Sequence, residues 1–390
     1  MKIKIVDLFS GAGGLTFGFK KKIFRNRFID DDRFEFIFAN EYDQFAAETF
    51  RINFPEIPML EEDIENLDFE FLTNNNIDLD GVDLVIGGPP CQSFSTVGKR
   101  QYDNRAKMYK EYRRLLSISK PKMFVFENVL GLLTMKNDLK QPVINDVIAS
   151  FQNFEDIDSK LKKFGYIVHK KVLNAKDFGV PQSRERVFLV GIRSDLSIKS
   201  NWEFPIPTTN KPLTVSDAIS DLPKLGNGEA SRIYDKKPQT KYQYLMRGNN
   251  RKLENHVNGV FGDRMQQIMA AVIEGEGKNY INNLVKEGKL PQELFLTSGY
   301  GNTYGRLWWD RPSTTITNNL STPSSLRCIH PRQNRALTAR EGARLQSFPD
   351  SFKFSGPRSR VNMQVGNAVP PLLSYALANS VYDFFESNFE

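Results

Sequence analysis

Apolar positions in the first half of the chain follow two rhythms. Short β-branched and aromatic runs at Ile3–Leu8, 34–39, 82–86, 123–126, 166–173 and 187–192 read as buried strands. Between them, residues 43–54, 107–119 and 145–164 carry apolar side chains at helical spacing. Strands alternating with helices predict an α/β fold, a doubly wound and mostly parallel sheet. Near Arg193 the rhythm breaks, and to about Gln333 the chain is rich in Asn, Gly, Pro and Lys with weak periodicity. Regularity returns at Thr338-Ala-Arg-Glu341, a capping-box spacing that opens a short helix stopped by Pro349. From Val369 onward, Leu373, Leu377, Val381 and Phe385 share one helical face. The expected organisation is an α/β domain over 1–193, a smaller irregular domain over 194–335, and a hinge with a closing helix over 336–390 that returns to the first.

The 390 residues carry a formal net charge of +7, which favours an anionic partner such as nucleic acid. Two cysteines and three histidines leave no disulfide framework and no metal centre to expect; Cys328, His256 and His330 read as structural. No apolar run reaches the length of a membrane span, and a cytoplasmic, nucleoid-associated protein is expected.

The first strand runs into Phe9-Ser-Gly11-Ala-Gly13-Gly14, at the place where a doubly wound sheet holds a nucleotide-like ligand. A dinucleotide fingerprint would need glycine where Thr16 stands, which disfavours a nicotinamide dehydrogenase. Asn40-Glu41-Tyr42 ends the second strand, with a carboxylate placed to grip ribose hydroxyls and a flat ring beside it. Asp63 could accept from an adenine amino group. Taken singly, Glu41 and Asp63 read equally well as helix-capping or surface carboxylates. Gly87-Gly-Pro89-Pro-Cys91 follows another strand, and its prolines hold the thiol in one direction. Phe124-Val-Phe-Glu127 ends a further strand in a carboxyl that is costly unless used. Gln182-Ser-Arg184-Glu-Arg186 alone reads as a solvated charge cluster.

In order along the chain, Asp7-Leu-Phe-Ser-Gly-Ala-Gly-Gly, Pro90-Cys91-Gln92, Glu127-Asn128-Val129, Gln182-x-Arg184-x-Arg186, Arg311-Pro-Ser-Thr-Thr-Ile-Thr and Gln364-Val-Gly-Asn367-Ala-Val-Pro370 resemble the cytosine-5 DNA methyltransferases of bacterial restriction–modification systems. The resemblance covers nearly the whole chain; only the stretch from about 194 to 310 lacks a motif. It departs at Tyr42, where Trp is frequent, at an extended segment over 20–33, and at Arg105 and Met108, a looser match. It implies S-adenosylmethionine as cofactor in a Rossmann-like pocket of Phe9, Gly11, Gly13, Gly14, Glu41, Tyr42, Asp63, Pro89 and Asn367. It also implies a target-recognition domain over 194–335, and Cys91, Glu127, Arg184 and Arg186 around a flipped cytosine.

The implied chemistry adds the Cys91 thiolate to ring carbon 6 so that carbon 5 becomes nucleophilic. Arg184 and Arg186 would favour the thiolate, Glu127 would act as a general acid, and one arginine would hold the ring carbonyl or a phosphate. Double-stranded DNA is the expected partner. Ser95, Lys99, Arg100 and Arg105 are expected in a loop closing over it, with Lys241, Arg247 and Arg251 in a tyrosine-interleaved basic stretch. A monomer is expected, and pairing with a cognate restriction endonuclease stays open. RNA methylation and a DNA-binding regulator without turnover are the alternatives; the long insert favours duplex reading and the intact Cys91, Glu127 and arginines favour turnover.

Overall fold

The computed structural model describes residues 2–90, 108–137, 139–161 and 163–389. Cys91, Gln92, Ser95, Lys99, Arg100 and Arg105 lie outside the described residues.

Seven strands form one sheet in the order β5-β4-β1-β6-β7-β9-β8. They are β1 (Ile3–Leu8), β4 (Phe34–Asn40), β5 (Met59–Leu60), β6 (Leu84–Gly87), β7 (Met123–Val129), β8 (Tyr166–Asn174) and β9 (Glu185–Arg193). The pairs from β5 to β7 are parallel, whereas β9 runs antiparallel to both β7 and β8. The expected α/β class and mostly parallel sheet are therefore present. Side chains alternate along β7: Met123 and Val125 enter one core, Phe124 and Phe126 the other. Both faces are covered, which is why these strands read as continuous apolar runs.

On one face lie α1 (Gly14–Lys20) and α13 (Pro371–Phe389), packed so closely that a Cβ on Gly18 would fall 2.3 Å from the Ser374 carbonyl carbon. The other face carries α4 (Met108–Ser119) and α6 (Val143–Gln152), with α2 (Gln44–Asn53), α3 (Phe69–Asn74) and α5 (Gly131–Thr134) completing the sheet unit. Asp43 caps α2 by accepting from Ala46 N. The expected helix over 145–164 is shorter: it ends at Gln152, because the Asn153 side chain accepts from Glu155 N and turns the chain. The extended segment after α1 is a hairpin, β2 (Lys21–Phe24) and β3 (Arg27–Asp30), turned through Arg25 and Asn26, both at positive φ.

Residues 194–335 do not form one separate core. Val215, Ile219, Tyr242, Met246 and Leu253, on or near α7 (Val215–Ile219) and α8 (Lys241–Arg247), pack into the main cluster. A third cluster, from Ile268 to Ile329, gathers α9 (Asp263–Ala271), α10 (Lys278–Lys286) and the strand pair β10 (Gly305–Arg306) and β11 (Arg327–Ile329). The short helices here escape detection because three or four turns' worth of pattern never accumulates. Thr338 makes both bonds of its capping box with Glu341 and opens α11 (Ala339–Leu345), followed by α12 (Arg358–Asn367). Among the described residues no helix is long and apolar enough to cross a membrane.

Candidate active site

Strand order reverses between β1 and β6, so their carboxyl ends open a crevice. The loop after β1 lines it with Phe9, Gly11 and Gly13, all at positive φ. Glycine is required at Gly13, since a Cβ there would also meet the Phe54 ring at 2.5 Å. Glu41 joins two loops: one oxygen accepts from Gly11 N at 2.9 Å, the other from Asp43 N at 2.8 Å. Burial pushes its carboxyl up, against these backbone bonds. Asn40 donates to Leu60 O and Glu62 O, drawing in the loop that carries Asp63. Asp63 is exposed and caps a 3₁₀ turn by accepting from Glu65 N, so it serves at least the structural role left open by its sequence. Tyr42 is 73% exposed beside Glu41. Asn367 ends α12 and is exposed, while Pro89 is buried and Gly14 packs under Val369.

Asp7 was not singled out by sequence reading. It is fully buried at the end of β1, accepts from the Thr16 hydroxyl, and leaves its second oxygen without a partner among the described residues. Burial pushes this carboxyl up to about 8, Thr16 opposing and nearby Glu41 reinforcing the rise. The signal in the sequence is an acid between Val6 and Leu8 in a strand whose only other polar residue is Lys4.

At the next strand the register does the work of convergence. Val129 of β7 pairs with Arg186 of β9, so Arg186 and Glu127 are diagonal neighbours on one face. Only an antiparallel β9 can bring its first residues to the edge where the parallel strands end. Arg186 Nε lies 3.0 Å from Glu127 Oε1, with both side chains nearly buried. Desolvation raises the Glu127 carboxyl, Arg186 and Arg184 opposing it; burial wins. A Cβ on Gly88 would sit 2.9 Å from Glu127 Oε2, and Asn128 Nδ2 reaches Pro89 O at 3.4 Å. The backbone leading to Cys91 therefore lies directly against the Glu127 carboxyl.

Arg184 is not part of a solvated cluster. It is 1% exposed and donates to Ile316 O at 2.9 Å and Gly366 O at 2.8 Å. Burial and neighbouring Arg186 depress it, but a guanidinium stays charged over the range where proteins fold. It thus locks β9's lead-in to the segments before α11 and at the end of α12, while Arg186 faces the carboxyl. In the basic stretch Arg247 donates to Lys236 O at 2.6 Å and stacks 3.5 Å over Tyr234, whereas Lys241 is exposed and only its backbone carbonyl is engaged, accepting from Asn26 of the hairpin. Arg251 is exposed. Cys328 is buried with its thiol pushed up to about 12, and His330 is buried and pushed down to about 3, so neither titrates near neutrality.

A mostly parallel, doubly wound sheet with a glycine-lined crevice at its switch point, and a buried acid–arginine pair one strand away, define a Rossmann-like α/β enzyme with a nucleotide-like cofactor pocket. The sequence profile of the C-5 cytosine-specific DNA methylases matches residues 3–383. The chain belongs to that family, and is a DNA (cytosine-5-)-methyltransferase of restriction–modification type. It is 35% identical over 399 residues to the type II methyltransferase M.DdeI of Desulfomicrobium norvegicum, covering 99% of this chain and 90% of that one. It is 36% identical over 385 residues to M1.HphI of Haemophilus parahaemolyticus, covering 98% and 87%. Among solved structures, a DNA modification methyltransferase encoded within an E. coli prophage superposes with a TM-score of 0.72 at 25% identity, covering 99% of this chain and all of that one. The family uses S-adenosylmethionine.

Proposed function

We propose that this enzyme methylates carbon 5 of a cytosine flipped from duplex DNA, through a covalent bond between Cys91 and ring carbon 6. The observation that carries this is the seat of Glu127: a buried carboxyl, paired with Arg186, against the backbone that leads through Gly88 and Pro89 to Cys91.

The crevice fits the cofactor. Backbone at positive φ opens the Phe9–Gly13 turn, each Glu41 oxygen keeps a lone pair for a ribose hydroxyl, and the exposed Tyr42 ring offers a stacking face. Gly14, Pro89, Asp63 and Asn367 complete the pocket. S-adenosylmethionine supplies an electrophilic methyl group there. The Cys91 sulfur forms its bond to carbon 6, and the ring's π electrons move to carbon 5. Charge building on the ring is met at N3 by a proton from Glu127, whose carboxyl burial pushes up and Arg186 orients. Once the methyl group has passed from the sulfonium sulfur to carbon 5, a base removes the carbon 5 proton, N3 returns its proton to the Glu127 carboxylate, the double bond re-forms, and the thiolate departs. A stacked base cannot reach these groups, so extrusion costs a few kcal/mol recovered in pocket and phosphate contacts. The enzyme acts as a monomer in this reading.

Duplex oligonucleotides with 5-fluorocytosine at the methylated site should trap the wild-type protein in a band that survives denaturation, and Cys91→Ala should give none. A wild-type enzyme that methylates the same duplex without ever forming that band would refute the thiol mechanism.

A further inference from the structure

The stretch from Arg311 to Asn318 is pinned along the active-site rim. Ser313 N donates to Pro181 O at 2.9 Å, and Ser183 N to Ser313 O at 2.8 Å. Ile316 N donates to Gln182 Oε1 at 2.8 Å, and Ile316 O receives Arg184. Further along, a Cβ on Gly366 would fall 2.4 Å from Asn318 N. The same residues therefore register this stretch against the lead-in to Arg186 and against Asn367. Whatever stands at its first residue holds a fixed position relative to Glu127.

That residue is Arg311. Its backbone is fixed, since its carbonyl accepts from Val215 N at 2.8 Å. Its side chain is exposed, with the guanidinium carbon 5.3 Å from the Trp308 ring centre, and its N–H groups meet no acceptor among the described residues. Trp308 is itself immobilised. Gly275 passes beneath it so closely that a Cβ would sit 2.4 Å from Nε1, and Arg327 stands 4.3 Å from the ring centre. Arg327 is anchored in turn, donating to Arg306 O at 2.8 Å and Glu276 O at 3.1 Å. Nearby acids do not neutralise Arg311: Glu274 is engaged with Trp309 N and Arg332, and Asp310 forms no ion pair among the described residues.

Two guanidinium groups on one clamped indole, one with its donors open to solvent, suit a fixed anion on the surface of a polymer. Stacking removes rotamer freedom in advance, so the arginine loses little entropy when its fork meets two phosphate oxygens. We propose that Arg311, held in place by Trp308, contacts a backbone phosphate of the duplex beside the target cytosine. This rests on the reading that the enzyme acts on duplex DNA; it goes further in naming a contact the expected basic stretch does not include. Arg311 is a binding residue and Trp308 a positioning residue.

The test uses the full-length enzyme and a fluorescein-labelled duplex bearing the site found by bisulfite sequencing of plasmid DNA methylated by the wild type. Anisotropy titrations follow binding from low to moderate salt. Arg311→Gln should weaken binding roughly tenfold and reduce the slope of log Kd against log salt by about one. A scrambled duplex should lose affinity in parallel, and the methylated sequence should stay the same. Arg311→Lys should restore the slope but only part of the affinity. An unchanged Kd and slope for Arg311→Gln, with an unaltered thermal melt, overturns the proposal; so does a changed methylated sequence, which would make Arg311 a base reader. If the wild type places no methyl group on any duplex, the underlying reading fails instead, and the two failures are distinct.

Discussion

Replacing Asp7 by Asn tests whether the acid beneath the cofactor turn is held protonated. Asparagine keeps the shape and an oxygen for the Thr16 hydroxyl, and removes only the titration. In the fold the carboxyl is pushed from 3.8 up to about 8. Between those values the unfolded chain releases a proton that the native state retains. Stability therefore falls as pH rises through this window, by about 1.4 kcal/mol per pH unit, and levels off above the folded value. From pH 5 to pH 8 the wild type should lose up to about 4 kcal/mol that Asp7→Asn does not. A chain of 390 residues has an unfolding entropy of about 0.8 kcal/mol/K, so the gap between the two melting temperatures should shift by about 5 °C. Paired thermal melts at half-unit pH intervals measure it, with the variant gaining on the wild type as pH rises. Parallel curves across the range would mean that Asp7 ionises normally, and that its second oxygen finds a donor.

Two further outcomes follow from the acid–arginine pair and the buried strut behind it. Glu127→Gln should slow single-turnover methyl transfer about a hundredfold and remove the loss of rate that the wild type shows as pH rises through the raised Glu127 pKa; an unchanged rate would exclude Glu127 from the chemistry. Arg184→Met should leave the Ile316 and Gly366 carbonyls unpaired and destabilise the protein by about 2–4 kcal/mol in urea unfolding, whereas a loss under about 0.5 kcal/mol would deny it the strut role.

Much of the sheet unit was legible because its strands are buried on both faces and its motifs sit at strand ends, where chain order and chemistry coincide. Glu127 stood out as an acid after three apolar residues. Asp7 follows only two apolar residues, Ile5 and Val6 after Lys4, and it opens a glycine motif whose backbone carried the reading. Arg184 and Arg186 look alike in sequence, two residues apart. What separates them is tertiary: Arg184 meets carbonyls from positions 316 and 366, Arg186 a carboxylate across an antiparallel register. The hairpin after α1 gave only a length anomaly, and the helices between 215 and 286 are too short to build a period. Arg311 entered only as the first residue of a motif, and its pairing with Trp308 escaped because a cation–π contact leaves no spacing rule.

Ser374 of α13 donates to Leu15 O of α1, 359 positions earlier in the chain. At bacterial elongation rates of roughly 5–20 residues per second, α1 emerges from the ribosome roughly 20–70 s before the helix that covers it. During that interval Phe17 and Phe19 can already pack on Phe28, Phe34 and Phe54, but the flank around Leu15 and Gly18 lacks the neighbour it has in the finished fold. A chain that stops short of α13 would leave that flank of the cofactor-side helix exposed to water.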